Sequence, residues 1–127
     1  MNVLLDTHIL FWWLTDDDRL TPRHKASILD EATNRYVSAV TGWEISIKVK
    51  LGKWPEASVL LPDLSTKIKA AGFALLPLTL AQAERAGSLD LVHRDPFDRM
   101  LVAQAIDLDL HLVTVDLALE KLGCRII

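Results

Sequence analysis

The sequence predicts an α/β fold built on a parallel sheet, and three observations carry that prediction. Short apolar runs of strand type recur at residues 3–5, 36–40, 73–76 and 111–115, with a fifth candidate at 125–127. Segments between them space their apolar residues as helices do. Strands that alternate with helices need crossover connections, which are right-handed and leave helices covering both faces of a parallel sheet.

In order along the chain, Val3 to Leu5 is a strand that stops sharply at Asp6. His8 to Leu14 is apolar and predicted helical. Thr21-Pro22 reads as an N-cap followed by proline at the first helical position, which predicts a helix to Ala32. Tyr36 to Val40 is the second strand. From Gly42 to Leu51, Trp43, Ile47 and Leu51 recur at spacing four, which places them on one helix face, and Gly52 follows as a C-terminal cap. Leu61-Pro62 opens the next helix, with Leu64, Ile68 and Ala71 on one face and Gly72 ending it. Phe73 to Leu76 is the third strand, stopped by Pro77. Thr79 to Gly87 is a short helix, and Asp95-Pro96 opens a longer one with a stripe of Phe97, Leu101, Ala105 and Leu108. His111 to Val115 is the fourth strand and Arg125 to Ile127 the fifth candidate.

A chain of 127 residues fits one domain, read here as spanning 1–127, and half its residues are hydrophobic, enough for a core without disulfides or a structural metal. No apolar stretch reaches the ~18 residues of a membrane span. The opening Met1-Asn2-Val3-Leu4-Leu5-Asp6 lacks the basic region of a secretory signal. The lone Cys124 rules out an intramolecular disulfide and suits a reducing compartment. These features predict a soluble cytoplasmic protein. The net charge of −3 argues against nucleic acid as a partner, yet without four particular carboxylates the balance would be +1.

Those four are Asp6, Glu44, Asp98 and Asp116. In a parallel sheet every strand ends at the same edge, each following helix starts there, and sites lie at that edge. Asp6 and Asp116 follow the first and fourth strands, Glu44 opens the helix after the second, and Asp98 lies in the first turn of the helix leading into the fourth. The topology therefore brings all four to one rim. Clustered carboxylates repel and raise one another's pKa, and a hard divalent cation such as Mg²⁺ or Mn²⁺ relieves that repulsion. Such a centre activates water and orients a phosphodiester for hydrolysis. His8, His24, His93 and His111 show no spacing that would favour zinc.

The segments Leu4-Leu5-Asp6-Thr7-His8, Trp43-Glu44-Ile45-Ser46-Ile47-Lys48, His93-Arg94-Asp95-Pro96-Phe97-Asp98-Arg99 and Val113-Thr114-Val115-Asp116 resemble, in order and spacing, the four acidic motifs of PIN-domain ribonucleases, in particular the VapC toxins of type II toxin–antitoxin pairs. The resemblance implies a three-layer α/β/α sandwich with a central parallel sheet of four to five strands. It also implies a Mg²⁺- or Mn²⁺-dependent endoribonuclease, a VapB-type antitoxin partner, and a homodimer. On this basis Asp6, Glu44, Asp98 and Asp116 are the catalytic candidates and Asp6, Asp98 and Asp116 the metal ligands. Thr114 takes the Ser/Thr position, and Asp95 and Arg99 are accessory candidates. Trp12 or Trp54, if exposed, would anchor a bound antitoxin.

Plainer roles compete for each residue. Asp6 would cap the next helix, Glu44 and Lys48 at i, i+4 would form a surface ion pair, and Asp98 would complement a helix dipole. Asp95 before Pro96 is an N-cap. Thr114 either orients Asp116 or a metal-bound water, or is an ordinary strand residue. Arg99 either meets phosphate or is solvated, as do Lys48, Lys50 and Lys53. Cys124 and the tryptophans read as buried or interface groups, while His8 is near enough to Asp6 to touch substrate. A receiver-like signalling module would want an acidic pair after the first strand, and a haloacid-dehalogenase phosphatase Asp-x-Asp; residue 8 is His. An inactive RNA-binding domain of the same fold is the remaining alternative.

Overall fold

The computed structural model describes residues 1–90 and 95–127. Five strands, β1 (Asn2–Leu5), β2 (Asn34–Ser38), β3 (Ala74–Leu76), β4 (His111–Val113) and β5 (Arg125–Ile126), pair in parallel in the order β3-β2-β1-β4-β5. The register sets Leu4 between Tyr36 and Leu112. The central strand explains the layering. Val3 and Leu5 join one apolar cluster and Leu4 the other, because successive strand side chains point to opposite faces.

One face carries α1 (Thr7–Leu14), α2 (Pro22–Leu29), a 3-10 turn (Pro55–Leu60) and α4 (Leu64–Ala70), through Ile9, Ile28, Ala57 and Ile68. The other carries α6 (Pro96–Asp107), through Phe97, Leu101 and Ala105, and a second 3-10 turn (Leu117–Leu122), with α5 (Leu80–Ser88) against α6. Between the two clusters, α3 (Ala39–Lys50) gives Ile45 to the first and Val40 to the second. The result is the expected α/β/α sandwich with five parallel strands. Among the described residues no helix is long and apolar enough to cross a membrane.

Local chemistry moves several expected boundaries. The Asp30 carboxylate accepts from Ala32 N–H at 2.9 Å, and this turn ends α2 at Leu29 rather than Ala32. The Ser38 hydroxyl accepts from Val40 N–H at 3.0 Å and caps α3, so β2 stops at Ser38 and the helix starts at Ala39 instead of Gly42. The packed face of α3 is Val40, Thr41, Glu44 and Ile45, whereas Trp43 and Leu51 are exposed. Pro62 stays outside α4, which begins at Leu64 after Asp63 adopts a left-handed conformation at φ 60°. β4 ends at Val113 rather than Val115. Thr79 and Gln82 form a capping box on α5.

Leu4 is fully buried in the middle of the central strand. Leu4→Ala is expected to lower the unfolding free energy by about 2–5 kcal/mol, as large-to-small core changes do, measured by urea denaturation. A change below about 1 kcal/mol would place the core elsewhere.

Candidate functional site

In the order β3-β2-β1-β4-β5 the chain winds outward from β1 in both directions, so the switch point lies between β1 and β4. Asp6 leaves β1 there and Thr114 leaves β4, and one hydroxyl joins them. Thr114 Oγ1 donates to Asp6 Oδ2 at 2.7 Å and accepts from Asp116 N–H at 3.0 Å. Thr114 is buried, so this hydroxyl uses both donor and acceptor to tie three site residues together. The Asp116 contact is to its backbone N–H, and the carboxylate that the hydroxyl meets is that of Asp6. The Asp6 backbone caps α1, but its side chain makes no capping hydrogen bond and faces the site instead. Asp116 Oδ1 accepts from Ala118 N–H at 3.1 Å and opens the second 3-10 turn.

Glu44 lies in the second turn of α3, not the first, because the helix begins at Ala39. Only 2 % of Glu44 is exposed, and its Oε2 lies 2.5 Å from Lys48 Nζ. The pair is therefore not the solvated surface bridge that i, i+4 spacing suggests. Its other oxygen, Oε1, is buried with no hydrogen-bond partner among the described residues. The Lys48 ammonium also lies 5.5 Å from the Phe97 ring centroid.

Asp95 accepts from Phe97 N–H at 2.9 Å and from Asp98 N–H, which is the N-cap role its place before Pro96 predicts. That cap sets Asp98 in the first turn of α6, where burial pushes its carboxyl up to about 8, aided by repulsion from Asp6, Asp95, Glu44 and Asp116. Asp98 thus senses every other proposed acid. Burial also raises Asp6, with Glu44 adding to the rise, while the Thr114 hydrogen bond and nearby His8 oppose it.

Arg99 corrects both expectations placed on it. The residue is 7 % exposed, and its guanidinium donates to Ala86, Asp90, Gly87 and Leu89 carbonyls at 2.6–3.2 Å. It neither reaches phosphate nor sits in solvent; it clamps the end of α5 and the chain beyond it. Trp12 and Trp54 are buried, so neither is the exposed anchor expected, and Trp43 at 53 % exposure is the surface tryptophan, edge-on to Phe97. His8 stacks on Trp54 at 4.5 Å. Cys124 is buried, as expected. His93 and Arg94 of the third motif lie outside the described residues. Thr7 and Thr41, which share a buried 3.0 Å hydrogen bond between α1 and α3, were not singled out from the sequence. Hydroxyls at two helix starts carried no spacing signal.

Among the described residues no three His, Cys, Asp or Glu side chains form a ready-made metal cage. The site nonetheless fits a hard cation. Its donors are all oxygen, one buried acceptor is open, and the Asp98 carboxyl is raised by burial and by repulsion from the neighbouring acids. Mg²⁺ and similar ions bind through one or two carboxylates and keep waters, so a full cage is not required.

The PIN domain family profile matches residues 3–123. A search of curated proteins finds no match. Several solved structures share the fold over 100 % of this chain. VapBC2 from Rickettsia felis, bound to a DNA fragment from its promoter, has 14 % identity over 98 % of its chain and a TM-score of 0.71. DNA-bound VapBC from Salmonella typhimurium has 18 % identity over 97 % and a TM-score of 0.67. FitAcB from Neisseria gonorrhoeae has 19 % identity over 96 % and a TM-score of 0.61.

The raised Asp98 pKa has a thermodynamic consequence. A carboxyl at about 8 when folded and near 3.8 when unfolded contributes stability that is complete below the lower value and lost as pH rises through the upper one. Metal-free protein is therefore expected to lose stability between those two pH values. In Asp98→Asn the slope should be shallower, with the remaining slope reflecting groups such as Asp6. Urea unfolding in chelator across that range measures both, and identical slopes would refute the coupling.

Proposed function

This chain belongs to the PIN-domain family, and on that premise we propose that it is a Mg²⁺- or Mn²⁺-dependent endoribonuclease, the toxin of a VapBC-type pair. The observation that carries the proposal is the gathering of Asp6, Glu44, Asp98 and Asp116 at the switch point, where Asp98 is electrostatically coupled to the other three. Such mutual repulsion has no structural benefit unless a cation or an activated proton is to be handled there. The VapBC and FitAcB structures that share the fold support a small VapB-type antitoxin as partner. A cytoplasmic homodimer acting on RNA completes the proposal.

Asp6, Asp98 and Asp116 would hold the cation. When bound, it supplies an activated water and neutralises charge on the phosphodiester being hydrolysed. The chain's own residues prepare that chemistry. Thr114 fixes the Asp6 carboxylate and the Asp116 backbone relative to one another. Asp95 sets the start of α6 and so the position of Asp98. Glu44 keeps a buried acceptor directed by its bond to Lys48. The N-termini of α1 and α6, placed at Asp6 and Asp98, favour negative charge there.

Asp6→Asn, Asp98→Asn and Asp116→Asn are each expected to lose cleavage of a mixed single-stranded RNA pool by about 100-fold or more, because cooperating groups act as a unit. Circular dichroism should report all three as folded. Asp95→Asn should keep substantial activity, since Asn caps a helix nearly as well as Asp. Wild-type-like cleavage by folded Asp98→Asn would overturn the site. Thr114→Val leaves the ligands in place but removes the hydroxyl that orients them, and should cost about 10–100-fold. Full activity in that variant would reduce Thr114 to a packing residue.

A further inference from the structure

We infer that Lys48 is the resident counter-cation of the acidic cluster, held on Glu44 in the metal-free protein and in direct competition with a divalent cation. The inference rests on the metal-dependent reading above and concerns what occupies the site before metal arrives. A glutamate only 2 % exposed must be paired, because an isolated buried charge is too costly to retain. Lys48 Nζ at 2.5 Å from Oε2 satisfies one oxygen, while the buried Oε1 has no hydrogen-bond partner among the described residues. The pairing is thus incomplete, and the open acceptor is what a second cation, or its water, would use.

The lysine is built for exchange. It lies one helical turn beyond Glu44 on α3, and its side chain is 25 % exposed, so its flexible stem can carry the ammonium back to water. An arginine fork would resist such release, since it locks carboxylates bidentately. Burial works against the charged form of Lys48, but the hydrogen bond to Glu44 and the fields of Glu44, Asp95 and Asp98 outweigh it. The ammonium is bonded to Glu44 and also feels the negative charge of Asp95 and Asp98. A tethered monovalent charge beside a divalent site lowers that site's affinity by Coulomb repulsion.

The test is Mn²⁺ titrated into RNA-free protein by calorimetry near neutral pH, with melting temperatures taken with and without Mn²⁺. Lys48→Met is expected to bind Mn²⁺ about 10-fold more tightly than wild type, given a unit charge removed at short range. Its metal-free melting temperature should fall, and saturating Mn²⁺ should restore more of it than in wild type. Lys50→Met, altering an exposed lysine on the last turn of α3, should bind like wild type. Unchanged or weaker Mn²⁺ binding in Lys48→Met overturns the inference and leaves the metal site standing. Should that variant be too unstable to titrate, Glu44→Gln is compared with Glu44→Gln/Lys48→Met, which buries no unpaired carboxylate. The double variant must bind more tightly, and equal affinities overturn the inference. A flat titration in wild type would overturn the metal reading itself, and this inference with it.

Discussion

Repulsion among carboxylates held at one sheet edge is the constraint on which the rest of the structure depends. Asp98 shows its strength, with a carboxyl displaced to about 8 by burial and by four neighbouring acids. Each local device around it offsets part of that cost. α1 begins just after Asp6 and α6 holds Asp98 in its first turn, so both present partly positive ends, the Thr114 hydroxyl donates to Asp6, and Lys48 lies against Glu44. None removes the repulsion, because the helix-end fields are worth only about 0.3–1 kcal/mol each. The cation proposed above would offset what remains.

Holding such a cluster requires a scaffold that does not yield. Asp6 is joined to the sheet on both sides of its carboxylate, by its own N–H to Val113 at 3.0 Å and by Thr114 at its oxygen. β1 and β4 therefore cannot separate without breaking the site. Arg99 does comparable work farther out, fastening four carbonyls at the end of α5 and just beyond it to the helix that carries Asp98. A buried guanidinium fits this task, having five donors in a fixed plane. The acid at position 98 and the cation at position 99 are adjacent in sequence but serve different ends: one faces the site, the other anchors its support.

The layering was legible because short apolar runs and proline-opened helices leave clear signatures, as Val3 to Leu5 and Asp95-Pro96 illustrate. The edge that gathers the acids followed from strand polarity alone. What escaped were features set by single side chains. Ser38 capping moved the start of α3, and the 3-10 turns at Pro55–Leu60 and Leu117–Leu122 have no periodicity to betray them. Apolar spacing chose Trp43, Ile47 and Leu51 as the marked face of α3, whereas the packed face includes Thr41 and Glu44, polar residues that no hydrophobic pattern selects. Arg99 was misjudged for the same reason. Its fate depended on carbonyls contributed by a different helix, and charge alone reads as exposure.

The net charge of −3 then takes on a different meaning. Counted over the whole chain it opposes a polyanionic partner, yet the negative charge at issue is concentrated where a cation is proposed to bind. A phosphodiester approaching the bare cluster would meet repulsion, and Lys48, spent on Glu44, offers it little. Under the proposed function, a divalent ion held by the same carboxylates would set the sign of the local field that the phosphate meets. Metal would in this way gate substrate approach as well as chemistry, and a chain acidic on average would remain compatible with RNA.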